Sequence, residues 1–293
     1  MSELSEPYSA ADGLVRVYPA RTPTGAGLVW AHGGGFAGGA LDMPEADSVA
    51  HALAARGITV VSVDYRLAGD GCRYPAPSDD VLAAWAWAFE NSLRLRIDPA
   101  RLAIGGASAG ANLVTGAVLR LLAGAGPSPA LPAAVILAYP TLHAVQPPTP
   151  PELRAALDAQ PDADHFGPDS VRGMYENFVG HPLPRGDEAP LPAVPGLAIA
   201  SDLVRFPPTL MINGEVDELR VSGEAFAATL AEAGAEVEVL TELGTQHGHL
   251  NRPHEPGFET SIDRIARRIA ALAASTNAST STLHSRLIEG SFS

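Results

Sequence analysis

A chain of 293 residues, 46% hydrophobic and 18% charged, has a globular composition and is long enough to bury about three quarters of the surface its unfolded form exposes. Thirty-three acidic residues against 19 basic ones give a formal charge of −14, which repels phosphate backbones and anionic headgroups, so neither nucleic acid nor membrane is an expected partner. The single cysteine, Cys72, excludes an intramolecular disulfide and any Cys-rich metal site, apolar runs stop at about nine residues, and the opening MSELSEPYSA is acidic where a signal peptide is basic. These features predict a cytoplasmic protein.

In chain order, short β-rich runs alternate with stretches of helical period, the pattern of a mostly parallel sheet with helices on both faces. Candidate strands begin at Gly13 (GLVRVYP), Gly27 (GLVWAH), Ile58 (ITVVSVDY), Arg101 (RLAIGGAS), Ala133 (AAVILAY), Pro208 (PTLMING) and Glu236 (EVEVLTE). Several are continuous apolar runs, as strands buried on both faces should be. Helices are predicted over 45–56, 78–92, 109–122, 223–233 and 259–274, the last with a stripe of Ile262, Ile265, Ile269 and Leu272. These seven candidate strands make one mostly parallel sheet within a single domain of residues 1–274.

Two regions break the rhythm. Residues 141–206 are rich in Pro, Asp and Gly, and Gln146–Pro151 reads QPPTPP, a run expected to be extended and to exclude regular helix. An insertion of this length inside an α/β sheet predicts a lid or cap over a site, with Phe166, Met174, Tyr175 and Phe178 available to line a pocket. From Ser275 the chain turns polar and Ser/Thr-rich, and 275–293 reads as a disordered tail.

The chemistry-bearing residues sit at predicted strand ends. Gly106–Gly110 reads GASAG between an apolar strand and a helix, the setting of a nucleophile elbow with Ser108 as nucleophile. The bare pentapeptide arises by chance in roughly one chain in five or six of this composition, so its setting carries the argument. His32–Gly35 reads HGGG, followed by Phe36. Glycines expose backbone N–H groups that can stabilise the oxyanion of a tetrahedral intermediate, and Ala109 N–H, at the positive end of its helix, is a further donor. A serine nucleophile needs an imidazole base and a carboxylate to orient it. Glu215, Asp217 and Glu218 end one late strand, and His247 and His249 follow the next. Asp202 lies before its strand. His143, His165 and His181 fall in the insertion, His254 in the loop to the last helix and His284 in the tail.

The set HGGGF at His32, DYRL at Asp64, GASAG around Ser108, PPTLMINGEVDELR from Pro207 and QHGHLN from Gln246 resembles the hormone-sensitive-lipase-like esterases of the α/β-hydrolase superfamily, over roughly residues 13–274. The resemblance implies an α/β-hydrolase fold, with about eight strands in a mostly parallel sheet and a small cap insertion, and a serine carboxylester hydrolase with Ser108 as nucleophile, Asp217 as acid and His247 as base. Short-chain esters are expected because Trp30, Phe36 and the cap aromatics can fill space. Gly34, Gly35 and Ala109 would form the oxyanion hole. His32 would be structural, and DYRL with Pro75, Asp79 and Asp80 would position loops. Phe36, Tyr175, Phe178 and His249 are expected to bind substrate, with Trp30 filling space beside them. No metal or organic cofactor is implied, the partner being a small-molecule ester and the assembly a monomer or homodimer.

Three departures stand out. Ala107 replaces an acidic residue before the serine and Gly110-Ala111 a glycine pair after it. His249 stands where an aromatic is usual. Only 31 residues precede His32, so cover for the site should come chiefly from 141–206. Two other readings fit the motifs: a deacetylase, lactone or amide hydrolase of a sugar or natural product, and a non-catalytic ligand-binding protein on the same scaffold.

Overall fold

The computed structural model describes residues 6–126, 130–160, 162–163 and 166–288, with the backbone alone over 273–288. Among them, eight strands form one sheet: β1 (Tyr8–Ala10), β2 (Val15–Tyr18), β3 (Ala26–Ala31), β4 (Ile58–Val63), β5 (Leu102–Ala107), β6 (Val135–Ala138), β7 (Thr209–Val216) and β8 (Val237–Gln246). Their order is β1-β2-β4-β3-β5-β6-β7-β8. The β1–β2 and β2–β4 pairs are antiparallel and every other pair is parallel. β1, three residues long, is the strand that composition does not reveal.

Side chains alternate across this sheet into two apolar layers. Val29, Ile104, Val135, Leu137 and Met211 enter one core, packed beneath α2 (Ala76–Glu90), α3 (Ala109–Leu122) and α6 (Arg220–Glu232). Leu28, Trp30, Ile136, Leu210 and Ile212 enter the other, covered by α1 (Asp47–Ala55) and by Ile262, Ile265 and Ile269 of α7 (Pro256–Ile288). The expected isoleucine stripe is thus the buried face of α7. The doubly covered, mostly parallel sheet expected from the sequence is the one observed.

Two expectations change. Residues 141–206 contain α4 (Pro151–Asp158) and α5 (Pro168–Val179), each with its first proline at the opening helical position. A proline there lacks only an N–H that would have no intrahelical partner, so Pro151 ends the extended run by starting a helix. The last helix continues to Ile288 rather than stopping at Ala274, since no glycine or proline interrupts 258–289. Residues 289–293 of the expected tail lie outside the described residues, as does His165.

Parallel strands align their C-terminal ends along one edge of the sheet. Here β3, β5, β6, β7 and β8 deliver in turn His32–Gly35, Ser108, Tyr139, Asp217 and His247.

Candidate active site

Ser108 occupies the single residue between β5 and α3, at φ 52 and ψ −119. This left-handed region is costly for an L residue and persists only where the surroundings impose it. Its N–H donates to the Ala138 carbonyl at 2.9 Å. A Cβ on Gly110 would strike the Ala31 and His32 carbonyls, so glycine is what lets the first turn of α3 lie against the end of β3. Ala109 opens α3, and its N–H belongs to the first turn, whose donors have no intrahelical acceptor.

His247 follows β8 and is buried. Its Nε2 lies 3.0 Å from Ser108 Oγ and its Nδ1 lies 2.9 Å from Asp217 Oδ2. A carboxylate only accepts, so Nδ1 carries the proton and Nε2 is left to accept from the serine hydroxyl. Asp217 is fully buried, and its other oxygen accepts Leu219 N–H at 2.9 Å. The imidazole is held edge-on by Tyr139 and Phe166, with ring centroids 5.0 and 4.6 Å away. The rival acids are committed elsewhere: Glu215 accepts Gly244 N–H at 2.7 Å, Glu218 pairs with Arg154 at 3.3 Å, and Asp202 accepts Ile199 N–H at 3.0 Å.

The glycine run leaves β3 with Gly34 at φ 118, and a Cβ there would strike the Gly38 backbone, so glycine is required on both counts. Gly34 and Gly35 share with Ser108 and His247 a cavity of about 500 Å³, which Met43, Phe166, Met174 and Arg252 also line. His32 does not line it. Its Nδ1 donates to the Gly33 carbonyl at 2.7 Å and its ring stacks on Tyr65, while burial pushes its pKa down. Arg66 and Asp80 form a two-pronged ion pair and Arg120 binds Asp79, so the DYRL region ties loops together.

The expected substrate contacts lie outside the cavity lining. Phe36, Tyr175, Phe178 and His249 are all buried, and none lines the cavity. Phe36 and Phe178 stack on each other, Tyr175 meets Phe36 edge-on, and the Tyr175 hydroxyl bonds Asn112 and the Thr141 carbonyl. These aromatics dock α5 onto the glycine loop from behind. His249 packs against Tyr139 with ring centroids 5.0 Å apart, and its Nε2 lies 2.8 Å from Ser261 Oγ. Burial pushes its pKa down to about 4. Trp30 is likewise buried, donating to the Glu45 carbonyl. Of the insertion's aromatic and apolar residues, Phe166 and Met174 do reach the cavity.

The other histidines stand apart. His143 is bound to Ser222 Oγ at 2.9 Å, and His181 and His254 are exposed. The side chain of His284 lies in the stretch described by backbone alone. Among the described residues no group of three or more His, Cys, Asp or Glu is arranged to hold a metal ion.

Three further residues, to which the sequence reading gave no role, meet beside the site. Glu45, two positions before α1, buries its carboxylate at 2% exposure. Its Oε1 accepts Gly33 N–H at 2.5 Å, and its Oε2 accepts from Tyr139 Oη at 2.8 Å and Asn251 Nδ2 at 3.0 Å. Tyr139 has φ 36 and its phenol pKa is driven well up by burial and by the Glu45 charge.

The model of a family described as having an alpha/beta hydrolase fold matches residues 28–251. The chain is 38% identical over 224 residues to carboxylesterase NlhH of Mycobacterium tuberculosis, covering 76% of this chain and 66% of that protein. It is 33% identical over 230 residues to ethyl acetate hydrolase of Pseudomonas putida, covering 76% and 65%. The matches thus span just under two thirds of these relatives' lengths. Among solved structures, a hyperthermophilic esterase of Pyrobaculum calidifontis superimposes with a TM-score of 0.75 at 28% identity, over 92% of this chain and 85% of that one.

Proposed function

The chain belongs to this alpha/beta hydrolase family, in its hormone-sensitive-lipase-like branch, and from that premise we propose that it is a serine carboxylester hydrolase acting on short-chain esters. In the proposed cycle His247 Nε2 takes the Ser108 proton as Oγ attacks the ester carbonyl carbon, and Asp217 holds the imidazole in the required tautomer. The carbonyl oxygen gains negative charge facing the N–H groups of Gly34, Gly35 and Ala109, donors fixed in place before the charge appears. Collapse of this intermediate breaks the ester C–O bond, and the alcohol leaves with the proton from His247. Water, deprotonated by His247, then attacks the acyl-enzyme, and the acid departs as Ser108 regains its proton.

One observation carries this reading: the buried Asp217–His247–Ser108 hydrogen-bond chain at 2.9 and 3.0 Å, on a serine held at positive φ. The names of the relatives support an ester as substrate. A cavity of about 500 Å³ bounded by Met43, Phe166 and Met174 supports a short acyl chain. We take 141–206 as the cover of the site, through Phe166 and Met174. A single cysteine fits a reducing cytoplasm. No helix among the described residues is long and apolar enough to cross a membrane. The protein is expected to act as a monomer or homodimer. The test is hydrolysis of p-nitrophenyl acetate and butyrate by wild type and folded Ser108→Ala: loss of turnover supports the reading and undiminished turnover refutes it.

A further inference from the structure

Glu45 is a buried carboxylate in an expensive setting. Among the described residues no cation forms an ion pair with it, so its charge is held by neutral donors alone, and burying a charge is tolerated only where such bonds are well made. The identity of the donors is informative. Gly33 N–H belongs to the residue just before Gly34 and Gly35. A Cβ on Gly33 would lie 2.5 Å from Glu45 Oε1 and 3.0 Å from Ser108 Cβ, so the Gly33 backbone is seated directly between the carboxylate and the nucleophile. Asn251 stands four residues after His247 and answers reciprocally, its Oδ1 accepting Glu45 N–H at 3.3 Å. Tyr139 supplies the ring edge against His247. Trp30 Nε1 fixes the Glu45 carbonyl at 2.8 Å, which anchors the strut to β3.

We propose that Glu45 is a positioning residue for the oxyanion hole: its carboxylate fixes the Gly33 peptide so that Gly34 and Gly35 aim their N–H groups into the cavity, and it locks that loop to the histidine loop through Asn251 and Tyr139. The inference rests on the ester-hydrolysis reading above. Glu45 makes no bond to substrate in this scheme. Its effect falls on the charged intermediate, because the oxyanion needs aimed donors more than the ground-state carbonyl does.

The test uses the full chain with Glu45→Gln and Glu45→Asp. In Glu45→Gln the new amide sets a donor against one of the donors the carboxylate now accepts. Its kcat is expected to fall about tenfold or more with KM within about threefold, and affinity for a trifluoromethyl ketone analogue of the tetrahedral intermediate should fall in parallel. Glu45→Asp restores the charge and should recover part of the loss. Amide exchange at Gly33 should quicken about tenfold in Glu45→Gln while the β5 amides keep wild-type protection. Wild-type kcat and Gly33 exchange in a folded Glu45→Gln protein would overturn the proposal. So would failure of both variants to fold, or exchange rising equally throughout the sheet, since either marks a general core role. If wild type shows no Ser108-dependent hydrolysis, the functional reading fails, whereas the Gly33 exchange result still decides the Glu45 contact.

Discussion

The rings of Phe36 and Phe178 lie 4.1 Å apart and within 6° of parallel. Phe36 directly follows Gly35, and Phe178 is on α5, so this stack joins the glycine loop to the segment that covers the site. Truncating Phe178 to alanine should cost roughly 3–5 kcal/mol, the usual range for a buried phenylalanine, measured by urea unfolding. The loop loses its backing in the same change, so kcat should drop as well. A Phe178→Ala protein of wild-type stability would contradict the packing described.

Tyr175 offers a cleaner separation of structure from chemistry. Its hydroxyl bonds Asn112 at 2.8 Å and the Thr141 carbonyl at 2.9 Å behind the cavity. Tyr175→Phe should therefore destabilise by about 1–2 kcal/mol and leave KM for p-nitrophenyl butyrate unchanged. A large rise in KM would restore Tyr175 to the substrate contacts from which its burial removes it.

Chain-length preference should respond to Phe166 and Met174, which line the cavity. Replacing either with alanine opens space, so activity across an acetate-to-dodecanoate series should shift toward longer acyl chains. The wild type should peak at short chains. A wild-type optimum on long chains would refute the short-chain reading.

Stability in acid depends on the buried imidazoles with lowered pKa, His143 and His249 among them. Burial pushes His143 and His249 down to about 4 from the ordinary 6.5. Between those values the unfolded chain binds protons that the folded one does not, so stability is complete above about pH 6.5 and is lost as pH falls toward 4. For the fully buried His249 the loss is on the order of 3 kcal/mol. Urea unfolding at pH 7 and pH 4.5 should show a smaller acid loss in His249→Gln than in wild type, and equal losses would contradict this origin.

How far the sequence alone leads depends on how local each determinant is. The buried strands are visible because both faces are apolar, and Ser108 because its glycine-flanked position lies between a strand and a helix. The strand ends alone offer Glu215, Asp217 and Glu218 as acids and His247 and His249 as bases, and the family resemblance singles out Asp217 and His247. The choice between His247 and His249 needed the bend after β8, which turns the first ring to Ser108 and the second toward Ser261. Phe36, Tyr175, Phe178 and His249 were expected at the substrate and are buried outside the cavity lining, because a ring beside a site packs behind it or into it according to tertiary contacts that spacing does not encode. Glu45 was invisible for a similar reason. Ahead of an Ala-rich helix it resembles an ordinary acidic first-turn residue, and its partner Asn251 is 206 positions away.

Loss of the base should be nearly as damaging as loss of the nucleophile. His247→Ala is expected to lower kcat/KM by roughly four to six orders of magnitude and Asp217→Asn by about four, while His249→Gln should leave most activity. Equal losses at His247 and His249 would contradict the assignment of the base.

Proposed ester hydrolysis depends on Ser108 being a nucleophile activated by His247. Its most direct test is to treat the folded wild-type protein with a fluorophosphonate probe and identify the modified residue by peptide mass spectrometry. One stoichiometric adduct on Ser108 is expected, lost in Ser108→Ala and strongly slowed in His247→Ala. An unreactive wild-type protein, or an adduct on another residue, would contradict it.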